Sequence, residues 1–333
     1  MATSSQNTKP HHDQLEGELQ QLLLSLPKDK WFGFPMHLYQ GFWCVDPIFE
    51  GIIASQTHFN AQDTDIMLAS LPKAGTTWLK SLIFTIINRK NISHISQHPL
   101  HSKNPHELIP HLEFKVYKES QQDVDEIPSP RLFATHIPYL ALPESIKSSK
   151  CRIVYVCRNP LDNFVSACHF WLEFDRNKGI KLDTEMIEEH LDKYCKGVLP
   201  YGPYEDHLLG YWNESMKNPQ KVLFLEFEGL KKDTKAHIIR LAEFLNCPFS
   251  EEEAKGDAID EIIKLCSLKN LKEMEVNKSG RVNQWYENKA YFRKGEVGDW
   301  TNYLTLPMAK RVNEIQEKLE NAGFSFANYK MNL

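Results

Sequence analysis

DIMLASLPKAGTTWLKSLIFTIINR, residues Asp65 to Arg89, decides the fold. Ile66 to Leu71 is an apolar run of strand length, and Pro72-Lys73-Ala74-Gly75 breaks it. Trp78, Leu79, Leu82, Ile83, Ile86 and Ile87 then recur at helical spacing. A buried strand, a tight Gly-containing loop and a helix follow one another. Such a loop aims free backbone N–H groups and the positive end of the helix dipole at one place. Lys73, Thr76 and Thr77 add a cation and two hydroxyls there. The stretch predicts an anion site, most naturally for a phosphate.

Working outward, the same design recurs. Arg131 to Thr135, RLFAT, is a short strand ending at His136. Arg152 to Cys157, RIVYVC, is a buried strand stopped by Arg158-Asn159-Pro160, with a helix carrying Asp162 to Trp171 after it. KVLFL, residues 221–225, is a further strand, and the pattern predicts helices over 184–195, 203–217, 231–245, 257–266 and 307–322. Strands alternating with helices predict an α/β fold, a central parallel sheet with helices on both faces. Ligands of such sheets bind at the carboxyl ends of the strands. Neighbouring parallel strands would bring Lys73, His136 and Arg158 to one edge.

Residues 1–12 are polar and read as a disordered tail, with residues 13–333 forming one domain. Leu15, Leu19, Leu22, Leu23 and Leu26 make a helical stripe ended by Pro27. The aromatic segment Trp31 to Trp43 serves either the core or one wall of an apolar acceptor pocket. Residues 91–130, rich in His and Pro, read as long surface loops, and residues 275–299 are polar and Gly-punctuated.

Composition narrows the function classes. The 333 residues are 41% hydrophobic, enough for a sizeable core, and 25% charged. A net charge of −5 favours neither nucleic acid nor an anionic membrane as partner. The seven cysteines form no C-x-x-C pair, which argues against a zinc ribbon and for free thiols in a reducing compartment. No secretory signal is visible, and the apolar runs fall short of the ~20 residues that span a bilayer. A cytoplasmic enzyme-sized protein is the expectation.

The loop is not a Walker A motif, because Lys73 precedes the only Gly. Arg158 stands where a Walker B strand would place an Asp for Mg²⁺, so the expected site is cationic and metal-free. Arg158 and Ser166 could grip a second phosphate, the guanidinium offering a bidentate fork, although a surface ion pair would suit Arg158 as well. Arg293-Lys294-Gly295 is a basic pair beside a Gly that allows close approach of an anion; a solvated basic loop is the alternative. His136 could take a proton from an acceptor hydroxyl, a role worth ~10²–10⁴-fold in rate, or be one of the structural histidines among 14.

LPKAGTTWLK, RLFATHIP, IVYVCRNPLDNFVSACHFW and FRKGEVGDW occur in an order and spacing that resembles the cytosolic sulfotransferases, the plant-type enzymes most of all. The resemblance covers roughly residues 30–325. It implies transfer of a sulfuryl group from 3′-phosphoadenosine 5′-phosphosulfate (PAPS) to a small-molecule hydroxyl. It further implies that Lys73, Ala74, Gly75, Thr76, Thr77 and Trp78 form the 5′-phosphosulfate loop, with Trp78 stacking on adenine. Arg158, Ser166, Arg293, Lys294 and Gly295 would hold the 3′-phosphate. Phe227, Ser267 and Leu268 would lie on the adenine side, His136 would be the base, and Lys73 would stabilise the leaving phosphate. Departures from the family pattern are Ala74 for Ser, Ala134 for Lys, Phe227 for Tyr and Gly229 for an acidic residue. Thr301 stands where the family's dimer motif has Lys and Lys310 where it has Glu, which predicts a monomer. Tyr39, Phe42, Trp43, His169, Phe170 and Trp171 suggest an aromatic acceptor pocket fit for a flavonoid, a steroid or a hydroxyjasmonate-like acid. The rival readings are an ATP-dependent P-loop kinase and a non-catalytic nucleotide- or hormone-binding protein.

Overall fold

A computed structural model of the chain describes residues 17, 19–92, 94–119, 124–173, 180–283, 285–327. The expected tail at residues 1–12 and part of the Leu15–Leu26 stripe lie outside the described residues.

Its centre is a parallel sheet built from β4 (Ile66–Ser70), β5 (Leu132–Thr135), β6 (Arg152–Cys157) and β7 (Val222–Glu226), in the order β5-β4-β6-β7. Ala69 pairs with Thr135 on one side and Tyr155 on the other, so neighbouring strands end nearly level. Alternate residues feed two separate cores. Met67, Ala69, Phe133, Ile153 and Tyr155 pack into one. Ile66, Leu68, Ala134, Val154 and Val156 pack into the other. A strand with both faces covered needs no polar alternation, which is why IMLAS reads as a continuous apolar run.

The longer helices are α1 (Asp46–His58), α2 (Thr76–Asn88), α3 (Pro160–Glu173), α4 (Thr184–Cys195), α5 (Tyr204–Lys217), α6 (Thr234–Phe244) and α7 (Leu306–Asn321). Those from α2 onward fall where the periodicity puts them, to within a few residues. The fold class is therefore the expected one.

Two regions differ from expectation. The aromatic segment is an antiparallel meander of β1 (Lys28–Trp31), β2 (Phe34–Tyr39) and β3 (Phe42–Val45). Its turns are Phe32-Gly33 and Gln40-Gly41, all four residues having positive φ, as two-residue hairpin turns demand. Residues 91–130 are not simply surface loops. Asn104, His106, His111 and Glu113 are buried, Asn104 caps a short helix at Pro105–Leu108, and Leu112–Glu119 forms a π-helix. Burying this many polar groups requires partners, and those partners surround the site.

Candidate active site

The loop between β4 and α2 is held in an unusual backbone shape. Lys73 has φ 68 and Gly75 φ 116. A Cβ on Gly75 would also meet the Phe227 ring at 2.8 Å, so both conformation and space require glycine. The loop's carbonyl at Pro72 accepts from Asn163 Nδ2 at 2.8 Å, fixing it to α3. The first turn of α2 then opens onto a cavity with N–H groups that no intrahelical bond uses.

Lys73, Gly75, Thr76, Thr77, Trp78, His106, His136, Arg158, Ser166, Phe227, Leu268, Arg293, Lys294 and Gly295 line that cavity, a space of roughly 730 Å³ including its mouth. No Asp or Glu is among its described lining residues. Trp78 and Phe227 form one corner, ring centroids 5.8 Å apart at 75°. Of the residues singled out in the sequence, Ala74 and Ser267 do not line it. Ala74 is buried and its N–H bonds to the Leu71 carbonyl at 3.3 Å. Ser267 caps the helix Leu268–Glu273 instead. A loop residue between two cavity-lining neighbours and a helix cap next to one are not separable from them by sequence.

The second cationic cluster is brought in by Asp162 and Asp299. Asp162 accepts from the backbone of Gly298 at 2.7 Å and of Trp300 at 3.0 Å, tying the C-terminal segment to α3. Asp299 receives Arg293 and Lys294, each at 2.6 Å. Burial would raise its carboxyl, but hydrogen bonds from Lys294, Arg293 and Asn302 outweigh that and hold it at about 2. Arg158 is buried, stacks over Phe227 at 4.8 Å, and donates to the Glu296 carbonyl at 2.6 Å. Gly295 sits at φ +63 with Leu268 2.5 Å from where a Cβ would be.

His136 is held from three sides. Its backbone N–H donates to Glu113 Oε1 at 2.7 Å, and its carbonyl accepts from His207 Nε2 at 2.8 Å. Its ring Nδ1 lies 2.6 Å from the Ser70 carbonyl. A carbonyl only accepts, so Nδ1 carries the proton and Nε2 keeps a lone pair. Burial pushes His136 down to about 3; the Ser70 bond opposes this, and Lys80, His207 and Lys73 add to it. The ring is therefore neutral at ordinary pH. Lys73 sits 3.9 Å over the Phe170 ring, and burial followed by Arg293 and Arg158 pushes it down to about 7.

A second cavity, roughly 840 Å³ with its mouth, lies on the other side of His136. Phe34, Ile48, Phe114, Trp171, Tyr201 and Trp285 are among its walls. Phe170 and Trp171 belong to it as expected. Tyr39, Phe42 and Trp43 do not: Phe42 packs into the core against Tyr201, and Tyr39 lies against Phe49. Strand alternation explains Tyr39 and Phe42, which pair with each other on the face opposite Phe34; Trp43 pairs with Leu38 on the Phe34 face, but toward the other end of β2. His169 lines a neighbouring groove beside Lys272 and Tyr303. Pro72, His106, His136, Phe170 and Tyr291 belong to both cavities. Two histidines thus stand at the junction of a cationic chamber and an apolar one.

His106, Glu113, Tyr201, Trp285, Tyr286 and Tyr291 were not foreseen. They come from segments without periodicity, which sequence pattern alone reads as loop. Lys80 was also missed, although its place one turn after Thr76 on an apolar helix face is a signal. Among the described residues no group of His, Cys, Asp or Glu is arranged to hold a metal ion, and no helix is long and apolar enough to cross a membrane.

The site is a strand–loop–helix on a parallel sheet, opening onto a cationic cavity. The sulfotransferase domain family matches residues 63–324, and the chain belongs to it. Cytosolic sulfotransferase 6 of Arabidopsis thaliana is 46% identical over 321 residues, covering 95% of this chain and 97% of that one. An Arabidopsis thaliana sulphotransferase structure shares 38% identity at a TM-score of 0.75, covering 98% and 100% of the two chains. A mouse sulfotransferase solved in complex with PAP shares 27% identity at a TM-score of 0.64, covering 86% and 95%. The chain groups with the cytosolic sulfotransferases of plants.

Proposed function

We propose that the protein transfers a sulfuryl group from PAPS to the hydroxyl of a small, largely apolar acceptor in the cytoplasm. The observation that carries this is the pairing of chambers: a carboxylate-free cationic cavity and an aromatic cavity share His136 at their junction. The cationic cavity has two anion grips, the α2 N-terminus with Lys73 and the Arg158–Arg293–Lys294 cluster, with the Trp78–Phe227 corner beside them. A nucleotide with phosphate at both ends of its ribose fits that arrangement.

In the reaction, His136 Nε2 accepts the acceptor's hydroxyl proton as the acceptor oxygen forms its bond to sulfur. The bond from sulfur to the phosphate oxygen breaks, and that oxygen keeps the electron pair. Lys73 and the α2 N-terminus stabilise the charge growing there. The low values of His136 and Lys73 come first from burial, with neighbouring positive charges adding to it. An anion beside them raises both, the direction that a proton acceptor and a leaving-group cation need. Ala134, with no charge to offer at the end of β5, leaves this work to Lys73.

The acceptor class follows from the walls. Beyond the junction histidines and Lys115, the second cavity is lined mostly by aromatic and aliphatic groups, which suits an uncharged ring system such as a flavonoid, phenolic or steroid. The monomer proposal rests on Thr301 and Lys310, both exposed. Incubation with radiolabelled PAPS and a panel of hydroxylated ring compounds tests the reading. Label transferred to a neutral acceptor supports it. Stabilisation by ATP·Mg²⁺ alone, with none by PAP, overturns it in favour of a kinase.

A further inference from the structure

Lys80 is fully buried in α2 and makes no ion pair with any described residue. Its Nζ lies 3.1 Å from His106 Nδ1, and His106 Nε2 lies 2.9 Å from Thr77 Oγ1. The His106 backbone is fixed by Asn104, whose side chain accepts its N–H at 3.0 Å. Asn104 is in turn bonded to Asn277 at 2.9 Å. A long amine is thus placed in the core to touch one imidazole, and that imidazole touches one hydroxyl on the cavity wall. Burying an amine without a carboxylate partner is costly, and nothing in the proton transfer itself uses Lys80.

The polarity of this chain of contacts follows from chemistry. Lys80 has N–H donors in either protonation state, and as the ammonium it has donors only, so the relay assigns it as the donor and Nδ1 of His106 as the acceptor. A neutral imidazole accepting at Nδ1 carries its proton on Nε2. That proton is shared with the Thr77 oxygen, which is then left with its own hydrogen to place elsewhere. The open direction is the cationic cavity.

We propose that Lys80 and His106 are positioning residues that lock the Thr77 hydroxyl as a donor to the anion in the cationic cavity. This rests on the reading of that cavity as the nucleotide site. The opposite polarity, with His106 protonated on Nδ1, would turn Thr77's lone pairs toward the anion and repel it. Burial pulls both Lys80 and His106 well below their ordinary values, Glu113 opposing this for Lys80 and Lys80 reinforcing it for His106. A neutral His106 is what the relay needs. His136 at the same junction holds the other tautomer, with its proton on Nδ1. The two histidines would therefore face the reaction with opposite roles, one donating through Thr77 and one accepting.

The test is a double-mutant cycle on PAP affinity, using Lys80→Met and Thr77→Val. Each alone is expected to weaken PAP by about tenfold or more, the scale of a hydrogen bond to a charged group. Together they should be no worse than the weaker-binding single variant. A Lys80→Met loss that persists in full in the Thr77→Val background overturns the relay, because a merely structural lysine acts in either background. His106→Gln, whose amide can still donate to Thr77, should retain affinity that His106→Leu loses; equal loss in both contradicts the proposal. Nitrogen-15 spectra of the unmodified protein give a reading that needs no variant: His106 protonated on Nε2 supports the relay and on Nδ1 refutes it. If the unmodified protein binds no PAP, the functional reading fails. If it binds PAP and the variants are uncoupled, only the relay fails.

Discussion

The two chambers that meet at His136 are built by opposite means. The cationic one is made at strand ends and helix starts: Lys73 after β4, Arg158 after β6, Gly75 to Trp78 opening α2. These groups are fixed by backbone that the sheet itself holds, and Arg293 and Lys294 join them through the Asp162 and Asp299 contacts. The apolar one is made of side chains gathered from the meander, the π-helical segment, α3 and the stretch around Trp285. The comparison teaches that the cationic chamber is mostly placed by local strand-to-helix geometry, whereas the apolar one depends on packing segments that are distant in sequence.

The sharpest break of that comparison lies at the junction. His136→Ala should lower turnover by about 10²–10⁴-fold, the typical range for a proton-transfer group, with PAP affinity near that of the unmodified protein. Comparable turnover in single-turnover assays would take His136 out of the base role. Next in size, Arg158→Ala should weaken PAP by ~10–100-fold, since a buried charge-assisted contact is lost, while acceptor KM stays put. Calorimetric titration with PAP checks this, and an unchanged affinity would dissolve the two-grip account. A smaller effect of opposite selectivity is expected from Trp171→Ala. It removes an apolar wall worth about 1.5 kcal/mol, on the order of tenfold in acceptor KM, and leaves PAP binding alone. A matching loss of PAP affinity would mean that the chambers are not independent.

A separate expected effect concerns stability and not binding. Burial holds His98 at about 4, His136 at about 3 and His207 at about 4, against 6.5 for the unfolded chain. Above 6.5 both states are neutral and these groups contribute nothing. Below it the unfolded state takes up protons that the folded state refuses, so stability falls as pH drops from 6.5 toward 3 to 4. Melting temperatures measured across that window should decline progressively. PAP should blunt the part due to His136, because an adjacent anion raises its folded value.

What could be read from the sequence follows the same division. DIMLAS, RIVYVC and RLFAT announced strands because both faces of this sheet are covered, and their polar ends converge because the strands are parallel and nearly in register. Trp78 through the helix register, and Arg293-Lys294-Gly295 through its glycine, were legible for similarly local reasons. The convergence of Arg158 with Arg293 was legible only through the family resemblance and not from local pattern: it depends on Asp162 and Asp299 clamping the residue 293–300 segment, contacts far apart in sequence. Tyr39 and Phe42 fall off the acceptor wall because the two hairpin turns set the strand faces, whereas Trp43 shares the Phe34 face and still does not reach the cavity. His106, Glu113 and Tyr291 carry no periodic signal and are placed only by tertiary packing.

The most direct test of the paired-chamber account is a crystal structure with PAP and a neutral hydroxylated acceptor bound together. The account predicts phosphates at the α2 N-terminus and at the Arg158–Arg293 cluster, the adenine at the Trp78–Phe227 corner, and the acceptor's hydroxyl oxygen within about 3.2 Å of His136 Nε2. An acceptor bound away from the aromatic cavity, or a hydroxyl out of reach of Nε2 with PAP in place, would contradict it.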